Sequence, residues 1–128
     1  MTHQITKGIK VSVKTTYNGT VYSHQHLFYA FSYNITIENN SDETVRLINR
    51  HWKILDTLHK TQTVDGEGVV GQTPTLLPNQ SYTYSSSCFL HSSIGAMGGF
   101  YTMVNQKTLE EFKVVIPTFQ LTTPLSLN

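Results

Sequence analysis

Four groups of side chains in this 128-residue chain are of types that do chemistry. Gly66-Glu67-Gly68-Val69-Val70-Gly71 has the spacing of a phosphate cradle. Cys88 and His91 could pair a thiol nucleophile with a base. His24 and His26 are two apart, so on a strand both rings would point the same way and could share a divalent metal. Arg50 and His51 set a permanent cation beside a titratable ring, and Glu67 could join them in a polar recognition patch.

Each group is judged by the element that must position it. A nucleotide-binding glycine turn needs a helix directly after it, so that the phosphates rest on its first amides. Here Gln72-Thr73-Pro74-Thr75-Leu76-Leu77-Pro78 follows, and its two prolines and β-branched residues cannot supply that helix. Glu67 would also place a carboxylate beside the phosphates. The stretch therefore reads as a glycine bend or bulge, with a nest of backbone amides for phosphate as the alternative. Nothing orients His91 toward Cys88, and Ser85, Ser86 and Ser87 lack the sharp turn of a serine nucleophile. His24 and His26 need a third ligand from elsewhere in the fold, and no dense carboxylate cluster offers a magnesium site. The expectation is no catalytic residue, no cofactor and no resident metal, with His24 and His26 as marginal metal candidates.

The positioning elements are strands. Ile9, Val11 and Val13 alternate with Lys10, Ser12 and Lys14, and Leu27, Tyr29, Phe31, Tyr33, Ile35 and Ile37 alternate with more polar residues. Asn18-Gly19 predicts a hairpin turn, or a long loop, between these two runs. Asn39 to Glu43 is turn material. Val45 and Leu47 begin a strand whose apolar set shifts register to Arg50, Trp52 and Ile54, which predicts a β-bulge over 47–49. Further strands are expected at 61–65, 81–86, 99–104 and 111–116. No window carries a helical apolar stripe. The fold class is all-β: an antiparallel β-sandwich, fibronectin type III or immunoglobulin-like, of about seven to nine strands in one domain spanning 1–128.

Composition limits the partners. Charged residues make up 13%, about half the roughly 25% of an average soluble protein. With 9 basic and 8 acidic residues there is no basic face for nucleic acid. No apolar run spans a membrane. Cys88 is the sole cysteine, which fits a reducing compartment, and the first residues lack an apolar leader, so a cytoplasmic location is expected.

Several blocks together resemble the ApaG family: Ile35 to Asn40; Arg50-His51-Trp52; the 66–71 glycines with Pro74 and Leu77-Pro78; Gly95, Met97, Gly99, Tyr101 and Met103; and Phe112, Val114, Ile116-Pro117 and Phe119. The resemblance implies a fibronectin type III-like sandwich without an assigned reaction. It also implies a link, by name and gene neighbourhood, to cobalt and magnesium efflux and to diadenosine tetraphosphate hydrolysis. Similar domains in eukaryotic proteins serve as interaction modules. Gly98 stands where the family frequently has arginine, which removes a cation from that segment. The resulting expectation is a non-enzymatic interaction module. Its surface would be formed by Arg50, His51, Gly66, Glu67, Gly68 and Gly71 together with a loop carrying Gly95, Met97 and Gly99. The partner would be a protein, or a second copy paired through an edge strand; the alternative is a small-ligand protein for a divalent cation or a phosphate-containing metabolite.

Overall fold

The computed structural model describes residues 2–124. Nine strands alternate with turns: β1 (Thr2–Thr6), β2 (Ile9–Ser23), β3 (His26–Asn39), β4 (Val45–Asp56), β5 (Gln62–Glu67), β6 (Thr75–Leu76), β7 (Ser81–Leu90), β8 (Ile94–Asn105) and β9 (Glu111–Thr122). They form two antiparallel sheets, one ordered β1-β2-β3-β7 and the other β5-β4-β8-β9, with β6 paired to β4. This is an all-β sandwich of fibronectin type III-like character.

The period-two patterns place the core between the sheets. Val11 lies opposite Ile37 and Val13 opposite Ile35, and all four are buried. Trp52, Met97, Tyr101, Ile116 and Phe119 face them from the second sheet. Trp52 packs near Tyr33 at 5.5 Å between ring centroids and edge-on to Phe119 at 6.0 Å. The register shift in β4 is present: Leu47 pairs with Met103 and Asn49 with Thr102, so Ile48 is the extra residue. That bulge is why Leu47 and Trp52 both point inward from positions of opposite parity.

Asn39 closes β3 from inside the core. Fully buried, it donates its amide to Glu43 O (2.7 Å) and Leu76 O (3.0 Å) and accepts from Ser41 N (3.0 Å) and Ser41 Oγ (2.6 Å). One side chain thus ties the 39–43 turn to β6.

Two sequence expectations are corrected. Asn18-Gly19 does not turn the chain: Tyr17 pairs with Phe31 and Gly19 with Ala30, and the ladder continues to Ser23 opposite His26. Gly19, at φ 95°, makes a bulge, a second structure that Asn-Gly serves as readily as a turn. His24 and Gln25 make the tight turn instead, both at positive φ. Residues 95–98 are not a loop either; they belong to β8, in the interior of the second sheet.

On one side β9 packs against β1 and β2 and closes the sandwich. On the other, β7 and β5 are the outer strands, and a cleft of about 490 Å³ opens between the sheets.

Candidate functional site

The structure brings Arg50, His51, Gly66 and Glu67 together where β4 pairs with β5, but on two different faces. Arg50 lies on the inner face beside Trp52, opposite Gly66. Its Nη1 donates to the carbonyl oxygens of Glu67 (2.8 Å) and Gly68 (2.9 Å). The guanidinium therefore reaches the backbone of the glycine stretch rather than the carboxylate of Glu67 or Asp65. Gly66 makes room for it: a Cβ there would stand 2.6 Å from Arg50 Cζ. This close approach explains a glycine inside a strand.

Beyond Gly68 the chain reverses at Val70-Gly71. Val69 and Gln72 exchange backbone hydrogen bonds of 2.8 and 2.9 Å across the reversal, and both central residues have positive φ (47° and 76°). That is the geometry of a two-residue hairpin turn. No helix follows Gly71, so the glycine motif lacks the element on which a dinucleotide fold rests its phosphates.

His51 faces outward. Its Nδ1 is 2.5 Å from Asp65 Oδ1, and its ring stacks on Phe100 with centroids 4.7 Å apart. Lys113 Nζ lies 4.5 Å from the centroid of the same Phe100 ring. Asp65, His51 and Phe100 form one cross-strand row. With Arg50, Gly66, Glu67 and Thr102 they line a groove at the β4–β5 pairing, so Arg50 borders both this groove and the inner cleft.

Gly95, Met97 and Gly99 are placed away from any exposed loop. Met97 is core. A Cβ on Gly99 would overlap the carbonyl oxygen of His51, and one on Gly95 the carbonyl oxygen of Leu55. These glycines let β4 and β8 approach closely, and the expected second recognition loop is absent from the described residues. His24 sits in the hairpin turn and His26 begins β3, so the two do not share a strand. Among the described residues, no three His, Cys, Asp or Glu side chains converge to hold a metal ion.

Cys88 is buried, and burial pushes its thiol up to about 11, so it stays protonated. The His91 ring packs on Phe28 and lies 4.0 Å from that of His59.

Sequence reasoning missed a tyrosine cluster behind the cleft. Tyr84 and Tyr101 are hydrogen-bonded through their hydroxyls at 2.5 Å, and Tyr33 lies opposite Ser86 in the β3–β7 ladder. Desolvation raises the pKa of all three phenols, so they remain neutral. Their inward positions on alternating strands were the available signal.

A family model described as the ApaG domain matches residues 20–105. The chain belongs to the ApaG family. It is 45% identical over 121 residues to Protein ApaG of Shewanella halifaxensis (strain HAW-EB4), covering 94% of this chain and 95% of that one. An X-ray structure of a structural-genomics target superposes with a TM-score of 0.85 at 44% identity, covering 91% of this chain and 88% of the other. A crystal structure described as an ApaA protein of Bordetella pertussis gives 0.79 at 36% identity, covering 91% and 94%. The ApaG match includes the Arg50–Gly66 pair and the whole of β7.

Proposed function

We propose that this ApaG-family chain is a non-catalytic interaction module, and that its partner is a protein contributing an extended segment to the free edge of β7. The observation that carries this reading is the unguarded state of that edge. Strands at sheet edges normally carry charges, prolines, bulges or a cover, because an open row of amides and carbonyls recruits other chains. β5 has six residues and carries Asp65 and Glu67. β9 carries Glu111, Lys113 and Pro117, and its Val115 N–H donates to Thr6 Oγ1 at 3.2 Å. β1 has five residues and packs against β9. β7 has ten residues, Ser81-Tyr-Thr-Tyr-Ser-Ser-Ser-Cys-Phe-Leu90, without a charge or a proline, and pairs with β3 without a bulge. Phe89 stands 56% exposed near its end, which offers an apolar contact to an added strand.

The absence of catalysis is supported by the protonated Cys88 thiol and by the ring contacts that engage His91. Cobalt and magnesium efflux, and any cytoplasmic role, would then be reached through the partner rather than through a metal held by this chain.

The test places a photo-cross-linking group at Phe89 or Thr83 and, as a control, at Glu67, in cells or extract. A partner cross-linked from β7 positions and lost on Ser87→Lys supports the reading. Cross-links from Glu67 alone would move the interface to the outer groove. Light scattering on the purified chain identifies a second copy as the occupant.

A further inference from the structure

We propose that the cleft between β7 and the β4–β5 ledge binds a small organic anion with an apolar body, its charged group resting on Arg50. The cleft borders the β7 edge and shares Ser86, Ser87, Cys88 and Phe89 with it, but the anion site rests on Arg50 and does not depend on strand addition.

Arg50 is the one formally charged residue lining the cleft, and no acid lines it. Among the described residues no carboxylate lies within 4.0 Å of its guanidinium. Nη1 is fixed by the two backbone carbonyls, which orient the group without neutralising it. Nε and Nη2 make no hydrogen bond among the described residues, and that edge is the fork on which a carboxylate or phosphate sits with two parallel bonds. A held, unneutralised cation against low-dielectric walls concentrates positive potential in the cleft and draws anions.

The rest of the lining selects the body of the ligand. Ile54, Val64, Val70 and Phe89 present apolar surface, over a floor of buried Trp52, Val69 and Met97. Tyr33, Tyr84 and Ser86 add hydroxyls on the facing sheet, and neutral hydroxyls can donate to an anion but cannot repel it. At about 490 Å³ the volume is in the range of small-molecule sites, which combine mainly apolar walls with a few convergent polar groups. At the lip, exposed Val70 is held at φ 47°, a conformation that β-branched residues rarely adopt. Backbone strain of this kind gathers at ligand clamps.

The experiment is an amide NMR titration of the full chain with benzoate, with phenyl phosphate and with benzyl alcohol as the neutral counterpart. Saturable shifts confined to residues around Trp52, Val69, Ser86 and Cys88 are expected for at least one anion by about 10 mM, where a Kd near 1 mM is close to saturated. The better anion identifies the head group as carboxylate or phosphate. Benzyl alcohol should bind at least about tenfold more weakly, a difference of about 1.4 kcal/mol. Arg50→Gln should remove that selectivity. Val64→Trp narrows the cleft from a partly exposed position while leaving Arg50 unsubstituted, and should block binding in a chain whose spectrum stays dispersed. The proposal is overturned if neither anion saturates, if benzyl alcohol binds equally well, or if folded Arg50→Gln binds the anion unchanged.

Discussion

The guanidinium of Arg50 lies across Gly66, its partner on the neighbouring strand, and uses the vacant Cβ position to reach the carbonyl oxygens of Glu67 and Gly68. The two residues form one device: the glycine provides space, and the arginine fixes the backbone before the Val70-Gly71 turn. Gly66→Ala should displace the flexible end of Arg50 and cost about 1–2 kcal/mol, the value of its charge-assisted hydrogen bonds. Arg50→Gln removes the same bonds, so the double variant should fall short of additivity by about 1 kcal/mol. Urea unfolding of the four proteins measures this, and strict additivity would show that the two residues act separately.

Gly99 should behave differently although it too is a glycine within a strand. The atom its Cβ would meet is the His51 carbonyl oxygen, part of the β4 backbone, and Trp52 Cα lies 3.2 Å away. No rotamer can relieve this overlap, so Gly99→Ala must push β8 from β4 beside the core Trp52. A cost of about 3 kcal/mol or more is expected, at the upper end for overpacking. A loss below about 1 kcal/mol would mean that the two strands separate easily here.

Val70→Asn should stabilise the fold. Val70 is 62% exposed, so little apolar burial is lost, and asparagine accepts the left-handed backbone that valine resists. A gain of about 1 kcal/mol corresponds to roughly 3–5 °C in Tm for a chain of this size. If the same variant weakens anion binding in the cleft, the strain at this turn serves the ligand.

Asp56 contributes to acid sensitivity. Burial by itself would raise its carboxyl, but hydrogen bonds from Ser92 Oγ and from the N–H groups of His91 and Leu58 bring it below the ordinary carboxylate value. A depressed native value means that the unfolded chain takes up the proton first as pH falls. The stabilisation is therefore intact above about pH 4 and fades as pH drops through the native value. Asp56→Asn should cost about 1–2 kcal/mol near neutrality, and its deficit should shrink below pH 4. A deficit unchanged down to pH 2 would rule out this origin.

Local pattern made much of this legible. Period-two alternation located β3 and the first half of β2, and the parity change between Leu47 and Trp52 located the β4 bulge, because each face of a strand reports its own burial. Asn18-Gly19 misled because the dipeptide fits a bulge as well as a turn, and the choice depends on how far β3 extends to pair beyond it. Gly95 and Gly99 looked like loop residues because what requires them, the backbone of β4, lies about forty residues earlier in the chain. The cleft was invisible for the same reason: Arg50, Ser86 and Val69 converge only through the pairing of β4 with β5 and the stacking of one sheet on the other.

The hydroxyls of Tyr84 and Tyr101 join the two sheets behind that cleft, and their pairing gives a prediction with two readouts. Tyr101 is fully buried, so Tyr101→Phe leaves the Tyr84 hydroxyl without its partner and should cost about 1–3 kcal/mol. Removing both hydroxyls should cost less than the sum of the single changes, since neither is then left unpaired. The alkaline limb follows from the same burial. Desolvation raises both phenols above their ordinary value, so the native chain keeps protons that the unfolded chain releases, and stability should fall as pH rises past about 10. In the double phenylalanine variant that decline should be shallower, because two of the protons held back have been removed. An equally steep decline in both proteins would place the alkaline sensitivity elsewhere, and additive single changes would show that the 2.5 Å contact contributes nothing to joining the sheets.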